Sequence, residues 1–289
     1  MANLNSTDKL INMDKYIGKI GTLVVYLFLI ANALLVLGPV IWTVLASFKT
    51  GNNLFSSSFT SIDFTLDHYR ALFTDTPYLD WYKNTFLLAT ANMVISLVVV
   101  TISAFVFSRY RFNGKRNIMM SILVLQMFPA FLSMTAIYIL LSKMGLIDTY
   151  AGLLFVYVTG SLPFMIWLVK GYFDAIPTSL DEAAKIDGAG HMTIFLEIIL
   201  PLAKPILVFV GLVSFTAPWM DFILPTLILR SEEKMTLAIG IFSWISSNSA
   251  ENFTLFAAGS LLVAVPITLL FVATQKHITT GLVSGAVKE

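Results

Sequence analysis

The sequence predicts an all-α membrane protein with six transmembrane helices and both termini in the cytoplasm. Three observations lead there. Charged residues make up 12% of the 289 and hydrophobic residues 57%, against about 25% charged in an ordinary soluble domain. Charges also bound six long stretches, each able to supply the roughly 20 apolar residues that a bilayer-crossing helix needs. Finally, Lys and Arg are distributed unevenly. With the N-terminus inside, twelve of the 18 fall in the clusters Lys9–Lys19, Arg109–Arg116, Lys170–Lys204 and Lys276–Lys288, which the positive-inside rule places on the cytoplasmic side.

The elements follow in order. Residues 1–19 read as a cytoplasmic N-terminus, 20–276 as one six-span domain and 277–289 as a cytoplasmic tail. The first span is 20–48, between Lys19 and Lys49. Val44-Leu45-Ala46 has the small-residue form of a signal cleavage site, but the apolar region is far longer than the 7–15 residues a signal uses, so it is expected to stay. The second span is 84–108 and the third is 117–142. The third contains Gln126-Met127-Phe128-Pro129, where a mid-span proline is either a packing kink or a hinge. The fourth span is 149–169, the fifth 205–229 and the sixth 252–275. Other prolines, Pro39, Pro163, Pro218, Pro225 and Pro266, lie inside or at the ends of spans. Asp221 is the one charge within a span, and an intramembrane ionisable residue is by default a functional candidate.

Several classes are excluded. Net charge is +1, without the basic face of a nucleic-acid binder. There are no cysteines, and His68, His191 and His277 are too scattered to form a metal site. No catalytic constellation is visible. Gly114-Lys115-Arg116 has no upstream glycine to make a phosphate loop.

One segment does not fit a plain bundle. Between spans four and five, DEAAKIDGAGHMTIFLEIILPLAKP (181–205) is polar, amphipathic and rich in helix signals. Ser179 followed by Glu182 reads as a capping box, and Asp181 and Glu182 suit a positive helix start. Gly188 and Gly190 break the helix, a second runs from about Met192 to Leu200, and Pro201 and Pro205 return the chain to the bilayer. The region 177–201 is therefore a helix–turn–helix elbow at the cytoplasmic surface. By these signals alone it is either a docking element with a shallow alanine face or a mere connector.

The spacing decides between them. Glu182-Ala183-Ala184, Gly188, Ile198 and Leu200-Pro201 reproduce the pattern EAA-x3-G-x9-I-x-LP. That pattern resembles the signature of the permease subunits of bacterial ATP-binding-cassette importers. Leu162-Pro163-Phe164-Met165-Ile166-Trp167, Ile186-Asp187-Gly188-Ala189, Trp219-Met220-Asp221-Phe222 and Phe64-Thr65-Leu66-Asp67-His68-Tyr69 resemble its carbohydrate-uptake branch. The ending Gly281-Leu282-Val283-Ser284-Gly285-Ala286-Val287-Lys288 looks like that of the smaller permease subunit of maltose and maltodextrin importers. The resemblance covers essentially the whole chain.

The resemblance implies a non-catalytic permease domain over 20–276 in the bacterial cytoplasmic membrane, moving sugars of the maltodextrin type by alternating access. It implies four partners: a second homologous permease subunit forming a heterodimer, an ATP-binding-cassette ATPase dimer, an extracellular or periplasmic sugar-binding protein, and membrane lipid. ATP and Mg would sit on the ATPase, with no cofactor on this chain. The elbow would be a coupling helix docking through Glu182, Ala183, Ala184, Asp187 and Gly188. The tail, through Ser284, Gly285 and Lys288, is a candidate ATPase contact or a frayed end; the outer loop Arg230–Glu251 is a candidate binding-protein contact or a solvated connector. Asp221, Trp219, Gln126 and Pro129 are candidates for the translocation path. Tyr138, Tyr157, Trp167, Trp219 and Phe222 either stack on sugars or form interfacial belts. The rival class is an ion-coupled secondary carrier, which would show inverted repeats and several intramembrane charges; one aspartate and no evident repeat stand against it. A channel would need a selectivity element, and none is evident.

Overall fold

The computed structural model describes residues 4–51, 64–248 and 252–286. Among them there is no strand, only an isolated bridge between Lys49 and Phe64. The long helices are α1 (Leu4–Ser47), α3 (Tyr78–Arg109), α6 (Tyr150–Ala175) and α13 (Phe253–Ala286), with short α2 (Asp67–Thr74) between the first two. Four helices are long and apolar enough to cross a membrane, or up to six if each bent pair counts as one span.

Both bent pairs have a chemical cause. The predicted third span is two helices, α4 (Lys115–Gln126) and α5 (Ala130–Lys143). They meet at 107°, with Pro129 in extended geometry just before α5. Proline lacks an amide donor and crowds the preceding turn, so the helix stops there. The elbow begins with α7 (Thr178–Ile186). Next come α8 (His191–Thr193), a π-turn (Ile194–Ile199) and α9 (Leu200–Leu202), then α10 (Lys204–Met220) at 79° to that rod. The π-turn ends just before Leu200-Pro201. A widened turn there relieves the clash between the Pro201 ring and the carbonyl four residues back.

The predicted fifth span is also interrupted. It breaks at Asp221, and the chain resumes as α11 (Ile223–Ile228). Asp221 Oδ1 accepts from the amides of Ile223 (2.9 Å) and Leu224 (3.3 Å), so the carboxylate caps a half-helix that would otherwise leave amides unpaired.

The described residues 230–248 of the predicted outer loop are not a solvated connector. A 3₁₀ turn (Glu232–Lys234) leads into α12 (Leu237–Asn248), whose Leu237, Ile239 and Ile241 are buried. Gly240 makes this packing possible, because an added Cβ would lie 2.0 Å from Cε3 of Trp81.

The bundle has two distinct ends. Helix α3 packs on both α6 and α10. At the elbow end, Val100, Phe105, Val169, Phe173, Ile194, Ile199 and Val210 form one core cluster. At the opposite end, Leu72, Tyr78, Trp81, Trp219, Leu237 and Ala258 form another. Ser47 hydrogen-bonds Tyr69 at 2.8 Å and Trp42 contacts Phe253 at 5.1 Å, so α1 ends and α13 begins at that opposite end. Residues 23–41 of α1 expose apolar side chains almost continuously, a surface suited to lipid or another membrane helix.

Candidate functional site

The elbow is the structured polar element that the bundle carries at one end, and α7 has two unlike faces. Asp181 turns inward and is buried beside Arg109, the last residue of α3. The Arg109 Nε lies 2.6 Å from Asp181 Oδ2, with both side chains 9% exposed. This is a charge contact without hydrogen-bond alignment, and Asp181 Oδ1 has no partner. Arg109 also donates from Nη1 to the carbonyl of Phe173 (2.9 Å) and from Nη2 to that of Ile176 (3.0 Å). One guanidinium therefore joins the end of α3, the last carbonyls of α6 and the first turn of the elbow. Its planar fork suits this, where a lysine would be a single point donor.

The outward face carries Glu182, Ala183, Ile186, Asp187 and Gly188, all exposed, whereas Ala184 is half-buried against the elbow-end core. Ile186 is 87% exposed. Glu182 and Ala183 precede it by four and three residues, so all three share a helix face. The turn is sharp because Gly188 has φ +87°, a left-handed conformation that side chains disfavour. Gly190 is extended instead, with φ −76° and ψ 167°.

The expected capping box does not form. Helix α7 starts at Thr178, after Pro177, with no side-chain cap bond, which places Ser179 inside the first turn. Its partner Glu182 faces outward, so Asp181 through Arg109, and not Glu182 through a cap, fastens the elbow. Arg109 carried no signal of its own in the sequence, where it was one of a cluster of basic residues. Ile186 was legible only as an apolar residue on an otherwise polar helix.

The path candidates do not share one pocket. Trp219 is buried with Tyr82 (ring centroids 5.2 Å) and Phe215 (5.8 Å). Asp221 accepts from the Tyr157 hydroxyl at 2.9 Å while capping α11. Gln126 and Pro129 are exposed at the α4–α5 break. The two breaks are nonetheless linked, since α5 touches α11, and Leu141 and Ile228 share a core cluster with Leu153 of α6. Of the other aromatics, Tyr138 lies under Arg230 at 5.6 Å, Trp167 donates to the carbonyl of Met119 at 3.2 Å, and Phe222 contacts Phe242 at 4.1 Å. Each has a structural partner. In the tail, the backbone of Ser284 and Gly285 continues α13, and Lys288 lies outside the described residues. Among the described residues no group of His, Asp or Glu could hold a metal ion.

The family described as "Binding-protein-dependent transport system inner membrane component" matches residues 96–281. The Bacillus subtilis maltodextrin transport system permease protein MdxG is 41% identical over 263 residues, covering 91% of this chain and 95% of that one. The Bacillus subtilis galactooligosaccharides transport system permease protein GanQ is 40% identical over 266 residues, covering 91% and 94%. Among solved structures, a bacterial ABC transporter involved in the import of the acidic polysaccharide alginate superposes with a TM-score of 0.79 at 24% identity, covering 91% of this chain and 96% of that one.

Proposed function

Because the chain belongs to the inner-membrane components of binding-protein-dependent transport systems, we propose that it is one of two permease subunits of an ATP-driven sugar importer in the bacterial cytoplasmic membrane. The observation that carries this reading is the elbow. It is a folded two-helix joint whose inner face is fastened to α3 and α6 by Arg109 and whose outer face is left exposed.

In this reading Glu182, Ala183, Ala184, Asp187 and Gly188, together with Ile186, dock into a groove on an ATPase dimer that binds ATP and Mg. The chain has no phosphate loop of its own. Closure of the dimer on ATP moves the elbow as a rigid body. Arg109 passes the movement to the ends of α3 and α6, and the assembly switches between inward- and outward-open states. The elbow end faces the cytoplasm, as the Lys and Arg distribution requires, and both termini lie there. The opposite end, with α2 and α12, faces the sugar-binding protein. The exposed apolar surface of α1 supports contact with the second permease or with lipid.

The translocation path runs beside the two helix breaks, near Gln126, Pro129 and Asp221. Interrupted helices are where irregular backbone meets a pathway in membrane transporters. Trp219 supports that wall from the buried side. The substrate is an oligosaccharide of the maltodextrin class. The relatives named for maltodextrin and for galacto-oligosaccharides are nearly equally similar, so substrate is what the experiment must discriminate.

The test is co-purification of the full chain with the second permease and ATPase encoded beside it, followed by ATPase assay with loaded binding protein. Maltodextrin-dependent stimulation is expected. Stimulation by galacto-oligosaccharide alone would keep the importer and overturn the sugar. Failure to bind any ATPase would overturn the coupling role of the elbow.

A further inference from the structure

Outside the elbow, the structure holds a cationic cavity lined by none of the residues assigned above to docking or to the path. It has a volume of about 580 Å³ and lies between the start of α4 and the end of α6. That size falls within the range of small-ligand sites. Four cations line it, Arg111, Lys115, Arg116 and Lys170. The nearby acid, Asp174, is engaged by Lys170 and by Ser108. Lys115 gives a hydrogen bond to the carbonyl of Tyr110 at 3.1 Å. Among the described residues, Arg111 and Arg116 make no ion pair with an acid.

The wall below the cations is of the opposite character. Met119, Met120 and the Trp167 ring line it, and the Trp167 indole is fixed by its bond to the Met119 carbonyl. Cations and an apolar wall with a tryptophan in one cavity form an amphipathic site. A free inorganic anion would use only the cationic part.

We propose that this cavity binds the phosphodiester headgroup of an anionic phospholipid, with Arg111 and Arg116 on the phosphate and the first acyl methylenes against Met119, Met120 and Trp167. Basic pockets between transmembrane helices have the right charge for such headgroups, and each surface cation adds measurably to the attraction. No residue of α7 lines the site, so its test does not depend on ATPase docking.

The experiment is native mass spectrometry of the delipidated full-length chain in detergent, titrated with phosphatidylglycerol or phosphatidylcholine. The wild type should retain phosphatidylglycerol over phosphatidylcholine, and the preference should fade as salt rises. R111Q/R116Q should bind phosphatidylglycerol about tenfold or more weakly, whereas K83Q/K143Q, which removes equal charge elsewhere, should bind as wild type. Equal binding by the two variants would overturn the site. Should R111Q/R116Q not fold, the wild-type comparison decides alone, and no preference between the two lipids overturns the proposal. Displacement of the lipid by millimolar inorganic phosphate would show a soluble-anion site and also overturn it.

Discussion

The two ends of the bundle are held in opposite ways. At the end away from the elbow, fastening is redundant. Asp148 accepts from the amides of Arg230 (2.9 Å) and Ser231 (3.0 Å), from the Ser231 hydroxyl and from Lys234 (3.0 Å). Asn84 donates to the carbonyls of Glu233 (2.9 Å) and Met235 (3.0 Å), and Thr85 accepts from the Leu237 amide at 2.8 Å. Tyr78 donates to the Gly259 carbonyl at 2.8 Å. At the elbow end, one guanidinium ties three elements together and leaves Asp181 Oδ1 unmatched. Many small ties make a rigid platform. One central polar tie over an apolar core makes a joint able to move as a unit, which is what the proposed coupling role needs.

The largest effect expected from this contrast is at Arg109. R109M leaves the Asp181 carboxylate buried without its cation and frees the carbonyls of Phe173 and Ile176. Removing one partner of a buried pair typically costs about 3–5 kcal/mol. The expected outcome is a sharply lower Tm in detergent and no coupled uptake. R109K should recover little, since a compact ammonium cannot span the separate acceptors that the planar fork reaches. R109M/D181L should be milder than R109M alone. A double variant as damaged as the sum of the singles would show that the pair is not the fastening.

Next in size is Gly240, at the redundant end. In G240A the new methyl group meets the Trp81 ring at 2.0–2.4 Å, and Trp81 is itself buried. Overpacking of this kind costs about 1–3 kcal/mol. Helix α12 should loosen from α3 while the elbow keeps its fold. The check is limited proteolysis, with new cleavage near α12 and none in the elbow. Cleavage at both ends would mean that the ends are not independent.

How far the sequence foretold this difference depends on range. The elbow was legible because its signals are local: a glycine at φ +87°, alanines, and prolines within 25 residues. Pro129 was legible as a kink or hinge within one span, but not as the end of one helix and the start of another. Four things were hidden. Asp221 looked like an isolated intramembrane charge, and only tertiary placement brings Tyr157, 64 residues away, to its second oxygen. Arg109 and Asp181 are partners across a whole helix–elbow unit. The capping box does not form because the helix already starts at Thr178, after Pro177, and burial selects Asp181 over Glu182. Helix α12 is hidden within a predicted outer loop because 12 residues are too few to span, and its apolar face is buried by partners more than 150 residues distant in sequence, such as Trp81.

A smaller effect should separate docking from fastening. Ile186 is 87% exposed, so I186A should leave stability within about 0.5 kcal/mol. If the outward face docks, an exposed apolar anchor of this kind is worth more than 1 kcal/mol of binding. ATPase affinity should then fall about tenfold, measured by titration of purified ATPase onto the permease pair. Unchanged affinity would move the docking face off this side of α7.

The smallest effect is expected at Asp148, because its contacts are shared and partly exposed. Its φ of +58° is in the left-handed region, which Asn also tolerates, so D148N tests charge without disturbing the backbone. The hydrogen bond from Ser231, then those from the Arg230 and Ser231 amides and from Lys234, hold the carboxyl well below the usual carboxylate range. A depressed folded-state value means that the stabilisation is complete above the unfolded value of about 4 and is lost as pH falls below it. At pH 7, D148N should therefore have a slightly lower Tm than wild type. As pH falls below about 4 the wild type should lose its advantage and the two curves should converge. If the gap instead stays constant with pH, the charge is not what holds the loop, and the platform rests on Asn84, Thr85 and the aromatic core.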